Sequence, residues 1–185
     1  MSTAKTSLAP PRRVVTGHDR EGKAVAIMDG PTPHRIVREG SGIAAQLIWV
    51  TERTPADASA NDDRAATIKV GLAPPKGGSV IRVVDFPPMR EEQNLDPHLL
   101  SKQIGDDHAP SRARAIRHPL MHRTRTVDYA IVMAGEIDMW LDDTEVHLKA
   151  GDILVQQATN HAWVNPGSEV CRIAFVLIDA DDPLA

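Results

Sequence analysis

Apolar and polar positions alternate along this chain in short runs broken by turn residues, and no long stretch keeps a helical period. The pattern is densest toward the carboxyl end. There Val127 to Ala134, Glu136 to Leu141, Thr144 to Lys149, Ile153 to Gln157, His161 to Asn165 and Glu169 to Ile178 are strand candidates. They are separated by Gly135, Asp142-Asp143, Ala150-Gly151, Ala158 to Asn160, and Pro166-Gly167. Short strands at this spacing predict an antiparallel sandwich or barrel.

Upstream the runs are sparser. Arg12 to His18 and Lys23 to Asp29 flank the turn-like Asp19 to Gly22 and predict a first hairpin. Ile43 to Thr51 and Val80 to Phe86 are β-branched, apolar strands, the latter closed by Pro87-Pro88. Glu52 to Arg64 is polar and alanine-rich and predicts a surface loop. Between Met89 and Pro119 the strand pattern lapses. Asp96-Pro97 and then Gly105 provide helix start and stop signals, which predict one short helix. The organisation expected is a disordered lead over 1–11, strands, loop and helix over 12–117, a core over 118–180 and a tail over 181–185.

Composition narrows the function classes. With 185 residues and 42% hydrophobic, the chain can bury one core. A net charge of −4, and aromatics limited to Trp49, Phe86, Tyr129, Trp140, Trp163 and Phe175, argue against a nucleic-acid binder, which needs clustered cations and stacking platforms. No apolar run reaches the roughly 18 to 20 residues of a membrane helix, and the first eleven residues have no secretory pattern. The lone Cys171 forms no internal disulfide; in an apolar strand it reads as a buried, inert thiol in a reducing, cytoplasmic setting.

The chemistry-bearing residues follow. His122, Thr124 and Asp128, then six residues and Gly135, form one cluster; Gly151 through His161 to Asn165 forms a second. Together they resemble the two motifs of the cupin superfamily. The resemblance implies an all-β fold, a double-stranded β-helix or jelly-roll barrel, here with an amino-terminal strand arm and one short helix. In that family a metal is held by two histidines and a glutamate of the first motif and a histidine of the second. Those positions are His122, Thr124, Asp128 and His161 in this chain. A threonine replaces the second histidine, aspartate replaces glutamate, and Gln157 and Thr159 replace proline and glycine.

Two histidines and a carboxylate remain, a set that can bind Fe(II), Mn, Ni or Zn with open positions. The metal ligands implied are therefore His122, Asp128 and His161. His118, four residues before His122, has matching strand parity and is the replacement ligand to consider. Parity also directs Thr124, Thr126, Trp163 and Asn165 toward the pocket, with Tyr129 on the opposite face. His34 reads as a surface residue, and Arg112, Arg114, Arg117, Arg123 and Arg125 as a basic run that is either a solvated face or, near the pocket mouth, an attractor of a carboxylate ligand.

Three functions are compatible with this pattern. One is a metal-assisted enzyme acting on a small organic acid, phenolic or lactone-like metabolite. Another is a metal-free acid–base isomerase or dehydratase, with His161 and Asp128 as the catalytic pair. The third is a binding module that recognises a small ligand without turning it over. In each case the partners expected are a small molecule and a second copy of the chain, in a homodimer whose amino-terminal strands cover the partner.

Overall fold

The computed structural model of this chain describes residues 8–59, 61–68, 70–89 and 117–184. Strands β1 (Arg12–His18) and β2 (Ala24–Pro31) form the expected hairpin. Its turn is held by Asp19, whose carboxylate accepts the backbone N–H groups of Glu21 and Lys23, at 2.8 and 2.9 Å.

The remaining strands build two antiparallel sheets. The larger has the order β3 (Arg35–Val37), β4 (Ala44–Thr51), β5 (Ser79–Phe86), β11 (Cys171–Asp179), β6 (Thr126–Ala134), β9 (Ile153–Gln157). The smaller has the order β10 (Ala162–Val164), β7 (Glu136–Trp140), β8 (Glu145–Lys149). Period-two alternation sorts the side chains. On β6, Thr126, Asp128, Ala130 and Val132 are buried, while Tyr129, Ile131 and Met133 face outward. Ile173, Phe175 and Leu177 of β11 and Val84 and Phe86 of β5 meet Ile137, Met139, Leu148 and Trp163 from the smaller sheet in one core. This is the double-stranded β-helix expected.

The step from β6 to β7 depends on Gly135. Its φ is +74°, and a Cβ there would lie 2.8 Å from the Val170 carbonyl oxygen. Only glycine tolerates both conditions, so the first motif's glycine has a packing reason.

Several elements differ from the sequence-based expectation. The short helix over Asp96 to Gly105 lies outside the described residues. The described helix is α1 (Arg64–Thr67), at the end of the segment read as a loop, capped by Asp63, whose carboxylate accepts the Ala65 N–H. Strand β3 was not expected; its three exposed residues have no amphipathic pattern and are strand only by pairing with β4. His34 is not a plain surface residue. It is half-buried, with Nε2 3.0 Å from Asp63.

The lead expected to be disordered through residue 11 is tied down from Leu8 onward. The Leu8 N–H donates to Asp85, and the Ala9 carbonyl accepts from Arg172. Asp85 is fully buried and forms a bidentate pair with Arg172, at 2.6 and 2.8 Å. The β1–β2 arm also packs on its own chain. Arg13 is 8% exposed, is paired bidentately with Asp63, and donates to the Ile48 carbonyl. The arm is therefore tied to its own chain through Arg13.

Candidate functional site

The space between the two sheets is not completely filled. A cavity of about 90 Å³ remains, room for several waters or a small organic group. It is lined by His122, Thr124, Asp128, His161, Trp163, Arg38 and Arg82, among apolar side chains that include Phe86, Phe175 and Leu177.

His122 and His161 are brought together by the backbone. Each donates its N–H to the other's carbonyl, at 2.9 and 3.0 Å, in an isolated antiparallel bridge. The imidazole centroids end 4.2 Å apart. Ring orientation is set by neighbouring carbonyls. Nδ1 of His122 donates to the Leu120 carbonyl at 2.9 Å, and Nδ1 of His161 to the Thr159 carbonyl at 3.0 Å. A carbonyl can only accept, so Nδ1 carries a proton in both rings. His161 is 3% exposed, and burial lowers its pKa to about 4, keeping it neutral at physiological pH.

Asp128 enters from β6 and is 5% exposed. Its Oδ2 accepts a hydrogen bond from Gln156 at 3.0 Å, while its Oδ1 is buried without a hydrogen-bond partner among the described residues. Burial pushes its pKa up to about 6, with Thr126 and the Arg82 charge pulling the other way. A buried carboxylate oxygen without a hydrogen-bond partner is costly to maintain and marks a place where a ligand group or a proton is expected.

The other expected residues divide. Thr124 and Trp163 line the cavity as parity suggested, and Trp163 packs on Phe175 and Phe86 with centroids 5.3 and 6.4 Å away. Thr126 is buried one step deeper, sharing a 2.7 Å hydroxyl contact with Thr124. His118 is not in the cavity lining. Residues 117–120 form a turn, so strand parity does not extend back from His122; the ring instead accepts from the Leu120 N–H and packs edge-on against Trp140. Asn165 is also absent from the lining. Its amide donates to the Phe86 and Glu169 carbonyls, at 2.8 Å each, and accepts the Gly167 N–H, which makes it a loop staple.

The expected basic run does not guard this cavity. Arg117 lies over Trp140 and donates to the Leu141 and Thr144 carbonyls, while Arg123 pairs with Asp182 and holds the Ala158 carbonyl. Arg112 and Arg114 lie outside the described residues. The arginines that reach the cavity are Arg38 and Arg82, which sequence reasoning missed. Arg82 carried a readable signal, since it shares the inward parity of Val80, Val84 and Phe86 in an otherwise apolar strand. Cys171 is fully buried and its thiol is pushed up to about 12, an inert core residue as expected.

Imidazole nitrogens such as those of His122 and His161 are suitable metal donors. Among the described residues, however, no three His, Cys, Asp or Glu side chains are assembled to hold an ion. Two guanidiniums line the same cavity and repel a dication. The described residues thus do not fit the three-ligand set of His122, Asp128 and His161, and no chemical step is derived through a metal.

Known proteins agree with this architecture. Residues 110–178 match the Cupin domain family. The cupin-domain-containing oxidoreductase fogC of Aspergillus ruber is 33% identical over 177 residues, covering 92% of this chain and 73% of that protein. Phomopsin biosynthesis cluster protein D of Diaporthe leptostromiformis is 32% identical over 181 residues, 94% and 80% of the two chains. The cupin-domain-containing oxidoreductase srdD of Neurospora crassa is 30% identical over 176 residues, 92% and 76%. With its two motifs facing one cavity between antiparallel sheets, and with these relatives along nearly its whole length, this chain belongs to the cupin superfamily.

Proposed function

We propose that this cupin acts on a small organic metabolite by moving a proton inside the barrel, with Asp128 as the base. The observation that carries the reading is the buried Asp128 Oδ1, without a hydrogen-bond partner among the described residues, on a residue that lines one cavity with His122 and the neutral His161. A carboxyl with a pKa near 6 is mostly ionised at neutral pH yet holds a proton far better than an ordinary aspartate, as a general base needs. His161 is too reluctant to become charged to be the main base. With its Nδ1 proton committed to Thr159, it accepts a substrate hydroxyl through Nε2 and orients it. The proton leaves the carbon next to a substrate carbonyl for Asp128 Oδ1, and the electron pair moves onto the carbonyl oxygen to form an enolate. Where the substrate carries a β,γ-double bond, the electron pair is delocalised as a dienolate, and returning the proton at the γ-carbon shifts the double bond into conjugation and completes an isomerisation.

The relatives' names support a role in small-metabolite chemistry, since some are oxidoreductases and others biosynthesis-cluster proteins. Enolisation also precedes many oxidations and dehydrations, so the same step fits that neighbourhood of reactions. We further infer a cytoplasmic homodimer, based on the lone reduced thiol and the apolar outer face of β6 and β9.

Proton exchange gives the test. The chain is treated with a chelator and incubated in deuterated water with a panel of small keto acids, phenolics and lactones, and deuterium uptake is followed by NMR. Uptake that survives chelation and disappears in Asp128→Asn, with folding intact, is expected. Uptake lost on chelation and restored by Fe(II), Mn, Ni or Zn would instead establish the metal-assisted reading.

A further inference from the structure

Two cations line the cavity, and the described residues supply little to balance them. Arg82 stands in the middle of β5, and its Nη2 donates to the Gly71 and Leu72 carbonyls, at 3.1 and 3.0 Å. These contacts are neutral and fix where the guanidinium lies without offsetting its charge. Its Nε is buried with no hydrogen-bond partner among the described residues. Arg38 reaches the same cavity from the tight 38–43 loop, where its N–H donates to the Ile43 carbonyl and its own carbonyl accepts from Gly42. Burial lowers the pKa of Arg38, and no carboxylate among the described residues opposes it. Arg82 is lowered to about 10 by burial and by Arg38 and is still charged at neutral pH. Asp128 is the one acidic side chain among the described lining residues.

Two guanidiniums against one carboxylate leave the cavity net positive when Asp128 is ionised, and more so when it is not. Both arginines are half-buried, and a partly desolvated charge without a counterion favours the entry of an anion. A guanidinium pairs with a planar carboxylate through charge-assisted hydrogen bonds, and Arg82 Nε is a donor left over once Nη2 is committed to the two carbonyls. The rest of the lining restricts the ligand's body. Phe86, Trp163, Phe175 and Leu177 form an apolar wall, with Trp163 packed edge-on to both Phe175 and His161.

We propose that Arg82 and Arg38 form a carboxylate-binding site in this cavity, and that its ligand is a small aryl or alkenyl monocarboxylate whose carbon body lies against Phe86, Trp163 and Phe175. The catalytic meaning of the site rests on the proton-transfer reading above, but anion binding does not. Held by its carboxylate at the arginines, such a ligand presents its remaining functional group to Asp128 and the histidine pair, which line the same space. A neutral isostere fills the apolar wall equally well and leaves both guanidiniums unpaired.

The test uses the full chain with benzoate and trans-cinnamate as probes and benzamide and cinnamamide as their neutral counterparts. Binding is measured by calorimetry near neutral pH, and folding of every variant by thermal melting. At least one carboxylate is expected to bind saturably and about tenfold or more tighter than its amide. Arg82→Gln and Arg38→Gln are each expected to weaken that binding by about tenfold, with Arg82→Lys retaining part of it. Should Arg82→Gln not fold, Arg38→Gln and Arg82→Lys decide the matter. Equal affinity for acid and amide, failure of both acids to bind the wild type, or unchanged affinity in Arg38→Gln and Arg82→Lys would overturn the proposal. Asp128→Asn separates the two readings. It removes proton exchange if the base is correctly assigned, while carboxylate affinity stays the same or rises because a negative charge has been deleted.

Discussion

At the scale of single residues, the cavity stores two opposed titrations that stability measurements can separate. Asp128 has its pKa raised from 3.8 to about 6, so the folded chain holds this proton more tightly than the unfolded chain. The cost of burying the ionised form is absent below pH 3.8, grows as pH rises to about 6, and is constant above. Asp128→Asn should therefore stabilise the protein at neutral pH, by up to about 2–3 kcal/mol, and change little in strong acid. His161 behaves oppositely. Its pKa falls from 6.5 to about 4, so its contribution is complete above pH 6.5 and is lost as pH drops toward 4. That loss is on the order of 3 kcal/mol, and His161→Gln should flatten it. Urea midpoints from pH 4 to pH 8 for the wild type and both variants check the pair. Curves that run parallel throughout would refute the assignment. Turnover adds an independent readout, since a general base at Asp128 requires activity to rise with pH through about 6. The sequence made His122, Asp128, His161 and Trp163 visible because motif spacing and strand parity act locally. It hid Arg38, whose approach depends on how a loop folds back between non-adjacent elements.

At the scale of elements, the strands after residue 120 were legible nearly to the residue, because each has a buried face and therefore a fixed register. Elements without a buried face were not. Strand β3 has three exposed residues and owes its conformation to β4. The 117–120 turn broke the parity that pointed His118 toward the pocket, and its only sequence sign was Pro119. Asn165 illustrates a different limit. A buried asparagine at a motif position is equally consistent with ligand contact and with backbone support, and its three hydrogen bonds to Phe86, Glu169 and Gly167 decide for support. Asn165→Ala leaves two carbonyls and one N–H unpaired where β10 passes into β11, and should cost about 2–4 kcal/mol of unfolding free energy. Carboxylate binding by the variant should match the wild type at a temperature where both are folded. A large loss of affinity with little loss of stability would return Asn165 to the pocket.

At the scale of the whole molecule, the arm assigned by sequence to a partner packs on its own chain through Arg13 and Asp63, so the basis for a dimer moves elsewhere. Sheet order points to β9. It ends the larger sheet, with β6 as its neighbour on one side, and among the described residues no strand pairs with its other edge. Ile153 and Val155 on this strand are 67% and 56% exposed, beside the exposed Tyr129, Ile131 and Met133 of β6. A long apolar edge is a hazard for a monomer, and proteins usually cover or charge it. No charged residue lies within β9, whose sequence is Ile153-Leu154-Val155-Gln156-Gln157. Antiparallel pairing of β9 with β9 of a second copy about a two-fold axis covers both edges with the same residues, the closed solution that symmetry favours. Val155→Lys tests this without touching the core, because the side chain already faces outward. Light scattering at micromolar concentration should show a dimer for the wild type and a monomer for Val155→Lys, with a charge placed at the outward Val25 on β2 leaving the dimer intact. A monomeric wild type, or a Val155→Lys variant as dimeric as its parent, would remove β9 as the interface.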